Sequence, residues 1–314
     1  EDLLRHDPVF SCQLEERHGQ NLLVVNPRTT IQVDWHKNRS SAERAKELSN
    51  TAFIPTEAPL FKAELITSKQ DICLLFCISH VIFDGWSMNV LMEELSKRYQ
   101  AKYDQKIYQS ELYTMLDYGH WLEKHPEPRQ QSMRYWTKKI EGISCKTELP
   151  ILSGKRQSGR NEHLPVHIKP DASQKLKALA NKLEVTLTPV LFAIYLIWIW
   201  RLTGQSDLTV AYPYANRDVL NSEKIKGMLV QMGFLRISIK PEQSLRELIS
   251  NVSQQMIEDR DHFIASPYDV DISKSGAPNL LFSMQSGIGM ESTSGPMQFE
   301  AEEVPSETSK ADLV

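Results

Sequence analysis

"CLLFCISHVIFDGWSMNVLMEEL", residues Cys73 to Leu95, begins as one kind of element and ends as another. Up to Ser79 it is a short apolar run of strand length, as continuous as a strand covered on both faces. From Ser87 to about Gln100 the pattern reads as a helix. The junction carries His80 and, four residues later, Asp84, with Gly85 directly after. Phe83 to Gly85 read as a turn, so the helical rule that brings residues i and i+4 together does not place Asp84 against His80.

The same alternation extends outward. "EDLLRHDP" reads as a helix end, "VFSCQLEER", "NLLVV" and "TIQVDW" as strands, and "SSAERAKELSNTAF" as a helix capped by Ser40 or Ser41, with Ala45, Leu48 and Ala52 on one face. "PLFKAELI" alternates as a strand does. "ELYTMLDYGHWLEKH" and "PRQQSMRYWTKKIEG" read as helices. Residues 142–165 are polar and glycine-containing, which marks a linker. Beyond it the pattern restarts. "HLPVHIK" is expected as a strand and "DASQKLKALANKLEV" as a helix capped by Asp171. "VLFAIYLIWIW" is expected as a buried core helix entered through "TLTP", with Trp198 and Trp200 in the core. "DLTVAYPY", "MLVQMGFLRISI" and "NLLFSMQSG" read as strands, "ANRDVLNSEKIKG" as a loop, and "SLRELISNVSQQMIEDRDH" as a helix. The end, from Ser292, reads as polar loop. The chain is therefore α/β, in two mixed halves: 1–150 and 151–314.

Composition sets outer limits. The 314 residues are 41% hydrophobic and 24% charged, an ordinary globular balance. A net charge of -4 gives no electrostatic case for nucleic acid or an anionic membrane. The longest apolar run, Val190 to Trp200, is too short to span a bilayer. Cys12, Cys73, Cys77 and Cys145 lack zinc-type spacing and read as buried free thiols, which fits a reducing cytoplasm. The charged opening residues are unlike a signal peptide, and a cytoplasmic location is expected. His163 and His167 share a strand face without a third ligand, so no metal is expected. "SGIGMESTSG" is glycine-rich but opens no helix, and there is no Walker loop or Gly-x-Ser-x-Gly elbow.

"SHVIFDGWS" resembles the core motif of nonribosomal peptide synthetase condensation domains, HHxxxDG followed by Trp-Ser. His80, Asp84, Gly85, Trp86 and Ser87 match, and Ser79 replaces the first histidine. "GQSDLTVAYPYANRD" is similar to a later strand with an Asn-Arg signature, here Asn216 and Arg217. "GMLVQMGFLRISI" resembles the segment Gly-x-Phe-Val-Asn-Thr-Leu-Pro-Leu-Arg. It keeps Gly227, Val230, Leu235 and Arg236 and has Gln231 where asparagine is usual. "PTEAPLFKAELI", "YWTKKIEG", "HFIASPYD" and "SKADLV" resemble further family segments in order. The resemblance runs over nearly the whole chain and implies that both terminal segments of the family are missing from it.

The resemblance implies two chloramphenicol-acetyltransferase-like subdomains in a V-shaped pseudo-dimer, with His80 at a central tunnel. It implies peptide-bond formation between a donor thioester and an acceptor aminoacyl thioester. Both are held on phosphopantetheine arms of donor and acceptor peptidyl carrier proteins, beside neighbouring synthetase domains. No cofactor is expected on the domain itself. His80 is the expected catalytic base or orienting group, and the backbone N–H of Gly85 an oxyanion contact. The resemblance implies a structural ion pair between Asp84 and Arg217. Trp86 is expected as wall, Ser87 as the N-cap of the following helix, and Ser79 as a local hydrogen-bonding support. Read from the residues alone, His80 has a second reading as a packed, hydrogen-bonded histidine, and Asp84 is structural under either. Rival functions are an ester-forming or coenzyme-A-dependent acyltransferase with the same core, an epimerisation domain, and a degenerate domain that docks carriers without catalysis.

Overall fold

The computed structural model describes residues 1–68, 72–108, 113–142, 144–150, 162–219, 221–284, 292–294, 297–299, 302, 304 and 311–314. The chain forms two compact units, neither of them a continuous stretch. The first comprises Glu1–Glu123, Arg217–Leu229 and Ser286–Glu307; the second comprises Lys124–Asn216, Val230–Gln285 and Thr308–Val314.

In the first unit, α1 (Asp2–His6) leads through a short 3-10 turn into an antiparallel pair, β1 (Cys12–Arg17) and β2 (Gln20–Val25). A three-stranded sheet follows in the order β3 (Val33–Lys37), β4 (Phe61–Thr67), β5 (Ile72–Ile78). The β3–β4 pairing is parallel, so the chain must cross over between them, and α2 (Ser41–Ser49) makes that crossing. Ser40 caps α2 through the Glu43 amide. The antiparallel β4–β5 ladder pairs Phe61 with Ile78, and Ser79 N–H extends it by donating to Leu60 O at 2.9 Å. This brings the chain to the motif loop. Then come α3 (Gly85–Tyr103) and α4 (Met115–Lys124). Phe10, Leu60, Phe61, Ile82, Phe83 and Leu91 form the heart of the core, with Phe10 edge-on to Phe61 at 5.0 Å. Arg217–Leu229 returns to this unit, where Ile225 and Leu229 pack with Tyr118 of α4.

The second unit holds α5 (Pro126–Ile140), α6 (Pro170–Lys182), α7 (Leu187–Thr203), α8 (Leu245–Arg260) and an antiparallel pair, β6 (Asp207–Tyr214) and β7 (Gln231–Ser238). Residues 124–150, expected with the first half, pack here instead. Trp136 is fully buried among Phe192, Leu196, Leu248 and Phe263, and its indole N–H is shared between the carbonyls of His262 and Ala265. Buried Asp259 of α8 accepts from Tyr135 at 2.5 Å and Tyr212 at 2.7 Å and pairs with Lys139, tying α5 to α8 and β6.

Several expectations change. β5 is only half-buried rather than covered on both faces, and Cys73 and Cys77 are half-buried; all four cysteines are free. "HLPVHIK" forms no strand: Leu164, Val166 and Ile168 are exposed. Lys169, not Asp171, is the N-cap of α6, and Asp171 lies one turn before its ion-pair partner Lys175. α7 buries Phe192, Leu196 and Ile199 but leaves Trp198 49% exposed, and Gly204 in a left-handed conformation ends it. "NLLFSMQSG" contributes only isolated bridges at Leu280 and Leu281 among its described residues. Two short paired strands, β8 (Ser292–Ser294) and β9 (Met297–Phe299), lie in the end expected to be loop. Most of the expected linker and of "SGIGMESTSG" falls outside the described residues.

Candidate active site

Asp84 organises the motif loop. It, and not Ser87, is the N-cap of α3: its Oδ1 accepts from the Ser87 amide at 2.8 Å. Ser87 is the third helical residue, fully buried, with its hydroxyl 2.7 Å from Asp84 Oδ1 and 2.8 Å from the Gly227 carbonyl. That hydroxyl accepts in turn from the Gly227 amide at 2.8 Å. Asp84 Oδ2 accepts from the Leu229 amide at 3.0 Å. One side chain thus fastens the helix start and the returning segment together.

Arg217 completes the arrangement. Its Nη2 lies 2.8 and 2.7 Å from the two Asp84 oxygens, and its Nη1 donates to the carbonyls of Ser222 and Ile225 at 2.9 and 2.8 Å. The two side chains are 4% and 2% exposed. Burial lowers the guanidinium from its ordinary range against the pull of Asp84, so a charged pair here needs both members. Asn216, just before Arg217, is buried and holds φ +53°, a left-handed turn that asparagine tolerates.

His80 has different surroundings. The residue as a whole is exposed, and its ring Nδ1 lies 3.0 Å from the Phe83 carbonyl in a part-buried contact. A carbonyl only accepts, so the proton of the neutral ring resides on Nδ1. Nε2 then carries the lone pair. Phe83 is 4% exposed and its ring centroid lies 5.9 Å from that of Phe10, so the carbonyl that fixes the tautomer belongs to a core residue. Ser79 accepts from the Val81 amide at 3.3 Å, a turn bond that holds the backbone beside His80. Gly85 and Trp86 are the first two residues of α3, where backbone N–H groups have no partner within the helix. Trp86 is 42% exposed, and its indole N–H donates to the Glu223 carbonyl at 2.9 Å.

The structure therefore brings Asp84, Ser87 and Arg217 into one buried network and turns the His80 ring to Phe83 O. Sequence reasoning missed the Phe83 carbonyl, the Leu229 amide and the role of Gly227. These are backbone groups, and only the glycine has a sequence signal. At Gly227 an added Cβ would run into the Met115 side chain. Among the described residues no cluster of three potential metal ligands occurs, and no single helix is long and apolar enough to cross a membrane.

Residues 1–281 match the family model described as Condensation domain. Nonribosomal peptide synthetase kk1B of Curvularia clavata is 28% identical, covering 79% of this chain and 2% of its own length. Surfactin synthase subunit 1 of Bacillus subtilis is 27% identical over 96% of this chain and 9% of its own length. The chain thus spans less than a tenth of these curated relatives. The first condensation domain of the CDA synthetase superposes with a TM-score of 0.70 at 17% identity, covering 92% of this chain and 73% of that one. The X-domain from teicoplanin biosynthesis gives 0.69 at 13%, covering 84% and 62%. Identities this low speak to the fold, which is that of the solved condensation domains. The chain belongs to the condensation domain family.

Proposed function

We propose that this domain forms an amide bond between two carrier-bound thioesters in nonribosomal peptide synthesis. The donor acyl group and the acceptor amine each arrive on the phosphopantetheine arm of a peptidyl carrier protein. The domain itself holds no cofactor and works among neighbouring synthetase domains in the cytoplasm. The observation that carries the reading is His80: an imidazole on the motif loop with Nδ1 engaged by Phe83 O, which leaves Nε2 with its lone pair.

A thioester is already activated, so no covalent enzyme intermediate is needed, and most of the barrier can be removed by bringing the reactants together. The acceptor amine attacks the thioester carbonyl carbon, and the carbonyl oxygen takes up the developing negative charge. Backbone amides at the start of α3, Gly85 first, are donors of the kind that stabilise it. The amine loses one proton to His80 Nε2. The intermediate then expels the donor arm's sulfur as a thiolate, which recovers that proton from the imidazolium. The products are an amide on the acceptor arm and a free thiol on the donor arm. Asp84 and Arg217 take no proton in this scheme; they hold the loop.

Two loaded carriers mixed with the domain, followed by intact-protein mass spectrometry, test the reading. Product should form with an amine acceptor, and His80→Ala should slow it by about 10²-fold or more. Product formed faster with an alcohol acceptor would favour the ester-forming reading. A rate unaffected by His80→Ala would overturn the role of the imidazole.

A further inference from the structure

Lys226 lies in the returning segment with its side chain 3% exposed. Its ammonium stands 2.5 Å from Glu94 Oε2 and 3.1 Å from Asp7 Oδ2. Glu94 belongs to α3, the helix that Asp84 caps. Asp7 follows α1 and holds the Val9 amide at 3.1 Å. Burial alone would lower the lysine, but the two carboxylates outweigh it and hold it above its ordinary value. Arg98 also bonds Glu94 at 2.9 Å, so two carboxylates face two cations.

Such a buried cluster adds little stability relative to apolar packing, while removing one of its members leaves a buried charge unopposed. The neighbouring backbone is fixed. Lys226 bridges to Thr114 in parallel, and Gly227 is pinned between Met115 and the Ser87 hydroxyl. We propose that Lys226 is a positioning residue for the chemistry at His80. Its ion pairs with Glu94 and Asp7 set where Gly227 meets Ser87 and Asp84, and hence where the Phe83 carbonyl holds the imidazole. The path is short. Gly227 N–H meets Ser87 Oγ, Ser87 meets Asp84, and Asp84 directly follows Phe83. This inference rests on the functional reading above, and its first readout is independent of that reading.

The test uses the whole chain with 15N-labelled histidine and compares Lys226→Met with Lys226→Arg. In the unaltered chain the ring shifts of residue 80 should report the Nδ1–H tautomer. Lys226→Met should reduce that population, and Lys226→Arg should largely restore it. In the two-carrier assay Lys226→Met should lower kcat by about tenfold with KM for both carriers little changed, the signature of an interaction expressed at the reacting centre. Should Lys226→Met fail to fold, Glu94→Gln, which leaves Asp7 as counter-ion, takes its place with the same expectation. Leu248→Ala, a core change in the second unit, serves as a destabilised control. Unchanged ring shifts in a folded variant would overturn the proposal, as would shifts or rates altered equally by Leu248→Ala. An unaltered chain that yields no amide would instead count against the functional reading, and the ring shifts would still decide the positioning role.

Discussion

Replacing Asp84 by asparagine keeps the shape of the helix cap and removes its charge. Asparagine caps helices as well as aspartate does, so the bond from Ser87 N–H survives. What changes is Arg217, whose side chain is 4% exposed and would then hold an unopposed buried charge. Breaking a buried pair by removing one partner costs about 3–5 kcal/mol. Arg217→Met leaves the mirror problem: a buried carboxylate, and Ser222 and Ile225 carbonyls without their donor. It is expected to cost about the same. The double variant has neither orphan charge, so its loss should fall short of the sum of the singles by about 3 kcal/mol, the upper range of coupling for residues in contact. Urea titration should show each single variant's midpoint lower by about 2 M, for a slope of roughly 2 kcal/mol per M. Exchange of the Leu229 amide, which donates to Asp84, reads the same opening locally. Single losses below about 1 kcal/mol, or a double variant equal to the sum, would refute the claim that the two charges hold each other in place.

Gly227→Ala should destabilise the chain by about 1–3 kcal/mol, because its methyl meets Met115. Met115→Ala in the same chain should recover part of that loss in thermal melts. Burial lifts the Asp7 carboxyl above its ordinary range despite Lys226. A carboxyl raised in the fold favours the fold while protonated, and that contribution is lost as pH rises through its folded value. Asp7→Asn should therefore remove that pH dependence: relative to the variant, the unaltered chain should lose Tm as pH rises from the ordinary aspartate value of about 3.9; identical pH profiles of Tm would contradict this.

The sequence made most elements legible, because periodicity and caps are local. β4, β5, α2, α5 and α8 fall close to where their patterns place them. The failures have one physical origin: burial is decided by distant partners. Trp198 shares a helix with fully buried Leu196 and Ile199, yet faces solvent. Leu164, Val166 and Ile168 alternate as a strand does, but no described residue pairs with them as a ladder. At the site, the pairing of Asp84 with Arg217 was expected through family resemblance, since no local rule links residues 133 positions apart. The capping role passed from Ser87 to Asp84 because the helix begins two residues earlier, at Gly85. Lys226 gave no signal at all. It stands in a stretch read as loop, and its partners come from the chain's first residues and from α3.

That Arg217–Leu229 rejoins the first unit also bears on how the protein is born. Asp84 leaves the ribosome 133 residues ahead of Arg217. At about 5–20 residues per second, the carboxylate stays in water for roughly 7–27 s before its guanidinium emerges. Throughout that interval the nascent motif loop lacks the cation against which it will close. The pairing of Asp84 with Arg217 thus forms only after the strands that lead into the motif loop have long since emerged.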